Sequence, residues 1–354
     1  MKKLFKEKKY RQRIIAFAIT VIAYAVVTAM QASGSLSRMI ISLMVPVTCY
    51  IVAAIGLNLN VGVSGELNLG QAGFMAVGGF SAAVFSGLLQ SAVTSVPLRL
   101  LICIVIGAAV AGLIGWLISV PVLKLQGDYL AIVTLAFGQI IVNLINNFYV
   151  GVDSDGLHFA FINNTLKMKD SGKILISGPM GATGIQRAST FLAGTILVLV
   201  SLILVFNLIY SKTGRAIMAC RDNRIAAQTV GIDVAKTKTV AFVMSSALAG
   251  AAGALYMLNY SSVAASKFDY NNSIMILVYV VLGGLGNVTG TLISTSVLVM
   301  LPEVLRFLST YRMLIYSIVL IAIMLITNNE HLKVAFEKLK AKNRKPAEGA
   351  KDNG

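Results

Sequence analysis

"CRDNRIAAQTVGIDVAKTK", Cys220 to Lys238, is a polar segment set between two stretches that are almost pure hydrocarbon. The topology of the chain turns on it. Asp222 reads as an N-cap and Gly231 as the residue just past a helix C-terminus. Ile225, Ala226 and Val230 give the short helix between them a small apolar face. About nine residues are too few for a helix that is stable alone in water, so this one must dock on something. Asp233 then reads as the cap of the next helix.

Outward from this segment the chain is greasy. Of its 354 residues, 57% are hydrophobic and 12% are charged, and the mean hydropathy is +0.81. Uncharged runs of about 17–25 residues recur, long enough to cross roughly 30 Å of hydrocarbon as helix. The pattern predicts an all-α, polytopic membrane protein and excludes a soluble one with buried helices. Ten spans are expected, at residues 14–30, 38–57, 67–89, 98–123, 128–149, 190–210, 239–263, 271–285, 289–308 and 312–327. The basic leader and apolar run 14–30 suit a signal peptide, but no small-x-small cleavage site follows, which favours an uncleaved first helix.

The placement of charge gives the orientation. Seven Lys and Arg fall in residues 1–13, six in 211–238 and seven in 328–354, against four in 151–189. Cytoplasmic loops collect Lys and Arg, so both termini and the 211–238 loop are assigned to the cytoplasm. Six spans return the chain to that side at residue 211, and four more at 328. The rule also accounts for the net charge of +16 without nucleic acid as a partner. Residues 1–13 form a basic cytoplasmic terminus and 14–327 the membrane domain. Residues 151–189, rich in Gly, Ser, Asn and Asp, lie outside and are expected to carry a short strand or helix. The tail 328–354 has a disordered composition.

Two stretches interrupt the apolar pattern: "GLNLNVGVSGELNLGQAGFMAVGGFSAA", Gly56–Ala83, and "VVLGGLGNVTGTLIS", Val280–Ser294. Irregular backbone at membrane depth survives where it is buried in protein or lines a cavity. Broken segments in corresponding positions point to a substrate path. Glycines alone would suit close helix packing; Asn58, Asn60, Asn68, Gln71 and Asn287 favour the path. Residues 56–66 also read as an ordinary cytoplasmic turn. In "GDYLAIVTLAFGQIIVNLINN", Gln139, Asn143 and Asn146 share a helical face, with Thr134 one step before. Such a stripe faces protein or water, as interhelical glue or as path lining. The path candidates are Asn68, Gly70, Gln71, Gly73, Thr134, Gln139, Asn143, Gly283, Gly284 and Gly286.

No GxxxxGK[ST] phosphate loop, HExxH or GxSxG motif occurs. Cys49, Cys103 and Cys220 have no pairing or metal-ligand spacing, and His158 and His331 lie outside the spans. No metal site is expected, and the sparse ionisable groups do not suit an enzyme. A proton- or ion-driven carrier working alone would need an intramembrane carboxylate relay. The driving energy is therefore expected from elsewhere.

Several long segments carry a family resemblance, from about residue 40 to 325. "GRAIMACRDNRIAAQTVGIDVAKTKTVAFVMSSALAGAAGALY", "GDYLAIVTLAFGQII", "VVLGGLGNVTGTLISTSVLVMLPEVLR" and the Gly56–Ala83 stretch resemble the branched-chain amino acid ABC transporter permeases, specifically the M-type (LivM-like) subunit. Glu66 departs from the expected pattern. The resemblance implies a large ten-helix importer fold with broken helices near the path, in the bacterial cytoplasmic membrane. It implies a second, H-type permease, two ABC ATPases that hold ATP and Mg, and an extracytoplasmic binding protein. No cofactor would be bound by this chain. By position, Arg221, Asp222, Asn223, Ile225, Ala226, Ala227 and Gly231 would form the ATPase-coupling loop, flanked by Arg215 and Arg224. The cargo implied is leucine, isoleucine or valine; urea, amides, nucleosides or sugars are alternatives within the class.

Overall fold

The computed structural model describes residues 2–34, 37–125, 127–153, 156–161 and 173–305, with 311, 314, 315 and 317–321 beyond them. Residues 1–299 form one compact unit and 300–354 a second. The helices are α1 (Lys2–Ala32), α2 (Arg38–Asn58), α3 (Gln71–Ala92), α4 (Val96–Val122), α5 (Asp128–Asn146), α6 (Phe191–Tyr210), α7 (Lys212–Asp222), α8 (Arg224–Thr229), α9 (Val234–Met257), α10 (Tyr270–Gly283) and α11 (Val288–Val304). The strands are β1 (Phe148–Asp153), β2 (Gly156–Phe161), β3 (Lys173–Ser177), β4 (Ala182–Thr183) and β5 (Ser262–Val263).

The first unit is organised around α9, which packs on α2, α3 and α4. In α9's apolar window 78% of the residues are buried, against 11% in α1. So α9 is the axis, and α1 lies at the edge with Ile14, Val21 and Ile22 facing outward. Lipid is as apolar as Leu, so close packing must hold such helices together. The run Ala249–Ala254 supplies the small surface this needs. A Cβ on Gly78 of α3 would run into the backbone of Gly250. One on Gly107 of α4 would come 2.7 Å from the Gly78 carbonyl oxygen. Backbone meets backbone there, which only glycine permits.

Two ends of this unit differ in kind. At one end lies an antiparallel sheet in the order β2-β1-β3-β4-β5. Phe148 of β1 pairs with Phe161 of β2, and Ala182 of β4 with Val263 of β5. The short strands expected in 151–189 are present, and β5 joins them from the far side of α9. At the other end lie α7, α8 and the breaks described below. Arg13 of α1 reaches that end too, its guanidinium donating to the Phe206 carbonyl at 2.9 Å.

Several expectations are corrected. The basic segment before residue 14 is helical, since α1 begins at Lys2 and runs unbroken into the first apolar run. The span placed at 239–263 is α9, from Val234 to Met257, since the chain beyond it turns into β5. Seven described helices are long and apolar enough to cross a membrane. Helix α10 has 14 residues and α11 has 17. A 14-residue helix rises only ~21 Å. Asp269 caps α10, accepting from the Asn272 N–H, and Gly284 (φ 91°) stops it, within two residues of the expected bounds. The tenth expected span, 312–327, and the tail 328–354 fall largely or wholly outside the described residues.

Replacing Gly250 with Val should force α4 and α9 apart, since a Cβ there would strike Ala111 and the Gly107 carbonyl of α4, at about 1–3 kcal/mol or more. A thermal melt of the purified protein in detergent would show a lowered midpoint. An unchanged midpoint would contradict backbone contact at this crossing.

Candidate functional site

The first interruption follows α2. Instead of ending at Asn58, the helix widens into a π-helical turn, Leu59–Ser64, all of it buried. Gly65 (φ 76°) closes the turn, its N–H donating to the Asn60 carbonyl. Residues 66–70 are irregular, and α3 starts at Gln71. Where this stretch is buried, its polar groups look to the protein for partners. The Leu69 N–H donates to Thr134 Oγ1 at 3.0 Å. The Gly70 N–H donates to Asn68 Oδ1 at 2.9 Å, and the Ala72 N–H to Ser273 Oγ at 3.0 Å. Gln71 donates to the Ala53 carbonyl at 3.0 Å and accepts from Ser245 at 3.3 Å. The side-chain amides thus take over the role of a helix ladder.

Asn68, Gly70, Gln71, Gly73 and Thr134 therefore come together at one junction. Gly70 lies over the Thr134 carbonyl and Gly73 over Gly138, so α3 and α5 touch without side chains between them. Gln139 and Asn143 stand apart, farther along α5. Gln139 Oε1 is buried without a hydrogen-bond partner among the described residues, and Asn143 is exposed.

The second interruption joins α10 to α11. Gly284 and Gly286 (φ 78°) make the bend after Gly283. Asn58 ties it to the first: its Oδ1 accepts from the Gly286 N–H and its Nδ2 donates to Thr291 Oγ1, each at 2.8 Å. A Cβ on Gly62 would strike the Gly286 backbone. The two breaks, far apart in sequence, are one site. Asn60 and Ser64, fully buried in the π-helical turn, keep their side-chain polar atoms unpaired among the described residues. Such a group costs about 1–3 kcal/mol.

The polar loop folds as two helices. Ser211 caps α7 through the Gly214 N–H. Asp222 is not the cap of α8: α7 runs through it, and Asn223 takes the position, its Oδ1 accepting from the Ala226 N–H at 3.0 Å. The reason lies one turn back, where Ile217 and Cys220 are buried and carry α7 onward. Asp222 pairs with Arg221 at 2.9 Å on the surface. Ala227 packs with Cys220, Val234 and Ile232, which seats α8 on the bundle. Burial pushes the Cys220 thiol above its ordinary range. Gly231 (φ 85°) ends α8 as expected. Asp233 caps α9, and the Lys236 backbone N–H holds its carboxyl below the usual carboxylate range. Ile225 and Val230 remain 75% and 81% exposed. Arg215 and Ala226 are also exposed, and Arg224 is half-buried.

This loop reaches the first break directly. Arg221 Nη1 donates to the Gly62 carbonyl at 2.9 Å, and its stem covers Gly65. Lys238 of α9 forms an ion pair with Glu66, the two side chains only 10% and 13% exposed. Lys238, Glu66 and Asn58 are absent from the site candidates read from the sequence. The one visible signal was a lone acid and a lone base at the edges of apolar runs. Among the described residues, no three His, Cys, Asp or Glu side chains are placed to hold a metal ion.

The family model described as "Branched-chain amino acid transport system / permease component" matches residues 39–327. The high-affinity branched-chain amino acid transport system permease protein LivM of Escherichia coli (strain K12) is 31% identical, over 83% of this chain and 70% of that protein. LivM of Salmonella typhimurium (strain LT2) is 30% identical over 89% and 73%. The fructose import permease protein FruG of Bifidobacterium longum is 26% identical over 81% and 82%. No solved structure matches the chain. The chain belongs to the branched-chain amino acid permease family; it is a multi-pass membrane transport component and not an enzyme.

Asn58→Ala should strip the Gly286 N–H and Thr291 of their shared partner. The expected loss is about 0.5–1.5 kcal/mol for each hydrogen bond removed. Detergent melting of the variant beside wild type measures it; an equal midpoint would show that the breaks are held otherwise.

Proposed function

We propose that this permease is one membrane subunit of an ATP-driven importer for branched-chain amino acids, with α7–α8 as its seat on a separate ATPase. The named cargo of the LivM relatives supports the substrate class. The observation that carries the mechanism is the exposed apolar face of Ile225, Ala226 and Val230 on a six-residue helix. A helix this short is not stable alone, and a bare apolar face at a polar end is built for a partner. Asp222, Asn223, Arg215, Arg221 and Arg224 frame that face with hydrogen-bonding and charged groups.

The chain has no phosphate loop, so hydrolysis falls to partner chains that hold ATP and Mg. Closure of those ATPases displaces α8, and the displacement switches the broken helices between access to the outside and access to the inside. A second, H-type permease subunit completes the membrane pair, and an extracytoplasmic binding protein delivers cargo at the sheet end. Both termini and α7–α8 face the cytoplasm of the bacterial cell. The path runs beside the junction of Asn68, Gly70, Gln71 and Gly73 with Thr134. Gly283, Gly284 and Gly286 form its movable bend. Gln139 and Asn143, apart from that junction on α5, are turned to cargo or to the second permease. A sugar cargo is the second reading, favoured by the likeness to a fructose import permease.

Ala226→Asp places a charge on the docking face at an exposed position, where substitutions shift folding by no more than about 0.5 kcal/mol. Uptake of labelled leucine should be lost and ATPase recovery on pull-down should fall, with the melting midpoint unchanged. Full uptake with an intact complex would sink the assignment of this loop.

A further inference from the structure

The π-helical turn Leu59–Ser64 is an expensive local arrangement. Wide turns of this kind are rare within helices and concentrate at functional sites. This one leaves Asn60 and Ser64 unpaired among the described residues while fully buried. Two of the contacts that hold the turn come from either side of α8. Arg221, three residues before α8 begins, donates to the Gly62 carbonyl in the middle of the turn. Lys238, on the first turns of α9, pairs with Glu66 just past the end of the turn. A charge pair this well shielded from water is weakened little by salt, and breaking one side leaves the other charge stranded. The turn in turn touches the second break, Gly62 against Gly286, with Asn58 bonded to the Gly286 N–H.

We propose that Arg221 and the Lys238–Glu66 pair latch the π-helical turn in this widened form. Displacement of α7–α8 draws the latch, the turn rewinds to ordinary helix, and the bend at Gly284–Gly286 moves with it. Arg221, Lys238 and Glu66 are thus positioning residues that turn motion of the coupling loop into motion of the path. The inference rests on the coupling role proposed above and adds the route by which that role reaches the membrane.

The test uses the whole complex, co-expressed, purified and reconstituted in vesicles of phosphatidylethanolamine and phosphatidylglycerol. It measures labelled leucine moved per ATP hydrolysed. Lys238→Gln is expected to leave ATPase recovery as in wild type and to cut leucine moved per ATP at least tenfold. The reversed pair, Glu66→Lys with Lys238→Glu, should restore most of that ratio, which a purely packing role would not predict. Asn60→Leu should raise the melting midpoint, since it removes the unpaired amide from the latched form, and slow uptake at least fivefold. A wild-type ratio in K238Q, loss of the ATPases from K238Q, no recovery in the reversed pair, or full-speed uptake in N60L would each overturn the latch. If the wild-type chain recovers no ATPase at all, the coupling reading falls and the latch with it. If it does, and K238Q stays fully coupled, only the latch falls.

Discussion

A backbone that leaves the helix inside a membrane must find hydrogen bonds from its neighbours, because no water is there to supply them. The rest of this structure follows from that constraint. Between Ser64 and Gln71 the chain abandons helical pairing, and side chains from α5, α10 and the break itself stand in for it. The amides of Asn58 and Gln71 do the same between elements, tying α2 to the second break and to α3. The interruptions are thereby rigid where they are bonded. They are adjustable where they are not, in the π-helical turn that holds Asn60 and Ser64.

The same economy places the loop. Helix α8 is too short to stand alone, so it is seated by one buried alanine, Ala227, on a small apolar cluster. Its remaining apolar residues, Ile225 and Val230, stay exposed. The cations on either side of it reach the break: Arg221, partly exposed, through the Gly62 carbonyl, and the buried Lys238 through Glu66. One short segment therefore has two faces, one exposed and one toward the rest of the bundle.

Much of this was legible in the sequence. Apolar runs showed the long helices, the distribution of Lys and Arg showed which loops share an end, and Gly and amide clusters marked both interruptions. Gly231 and Asp233 were read in their roles because capping is local chemistry. Asp222 was misplaced by one residue, since the burial of Ile217 and Cys220 that extends α7 is a tertiary fact. The meeting of Gly62 with Gly286 and of Glu66 with Lys238 was not legible. Pairs separated by 172 residues, as Glu66 and Lys238 are, have no local signature. The bounds of α10, expected at 271–285 and found at Tyr270–Gly283, were legible because Asp269 and Gly284 act locally.

The joining of β5 to the sheet has a mechanical consequence. Through β4 and β5, and through the bonds from Ile185 to Ser261 and from Ala188 to Leu258, the α5–α6 connection is stitched to the α9–α10 connection. The sheet-side ends of four helices are thus tied together, while the opposite end of α10 meets the Gly284–Gly286 bend and that of α9 meets Glu66 just past the π-helical turn. A push applied at α8 cannot slide α9 along its axis like a piston. It resolves into tilting about the stitched end, so the sheet is the fulcrum, the bundle the lever arm, and the largest excursion falls at the breaks.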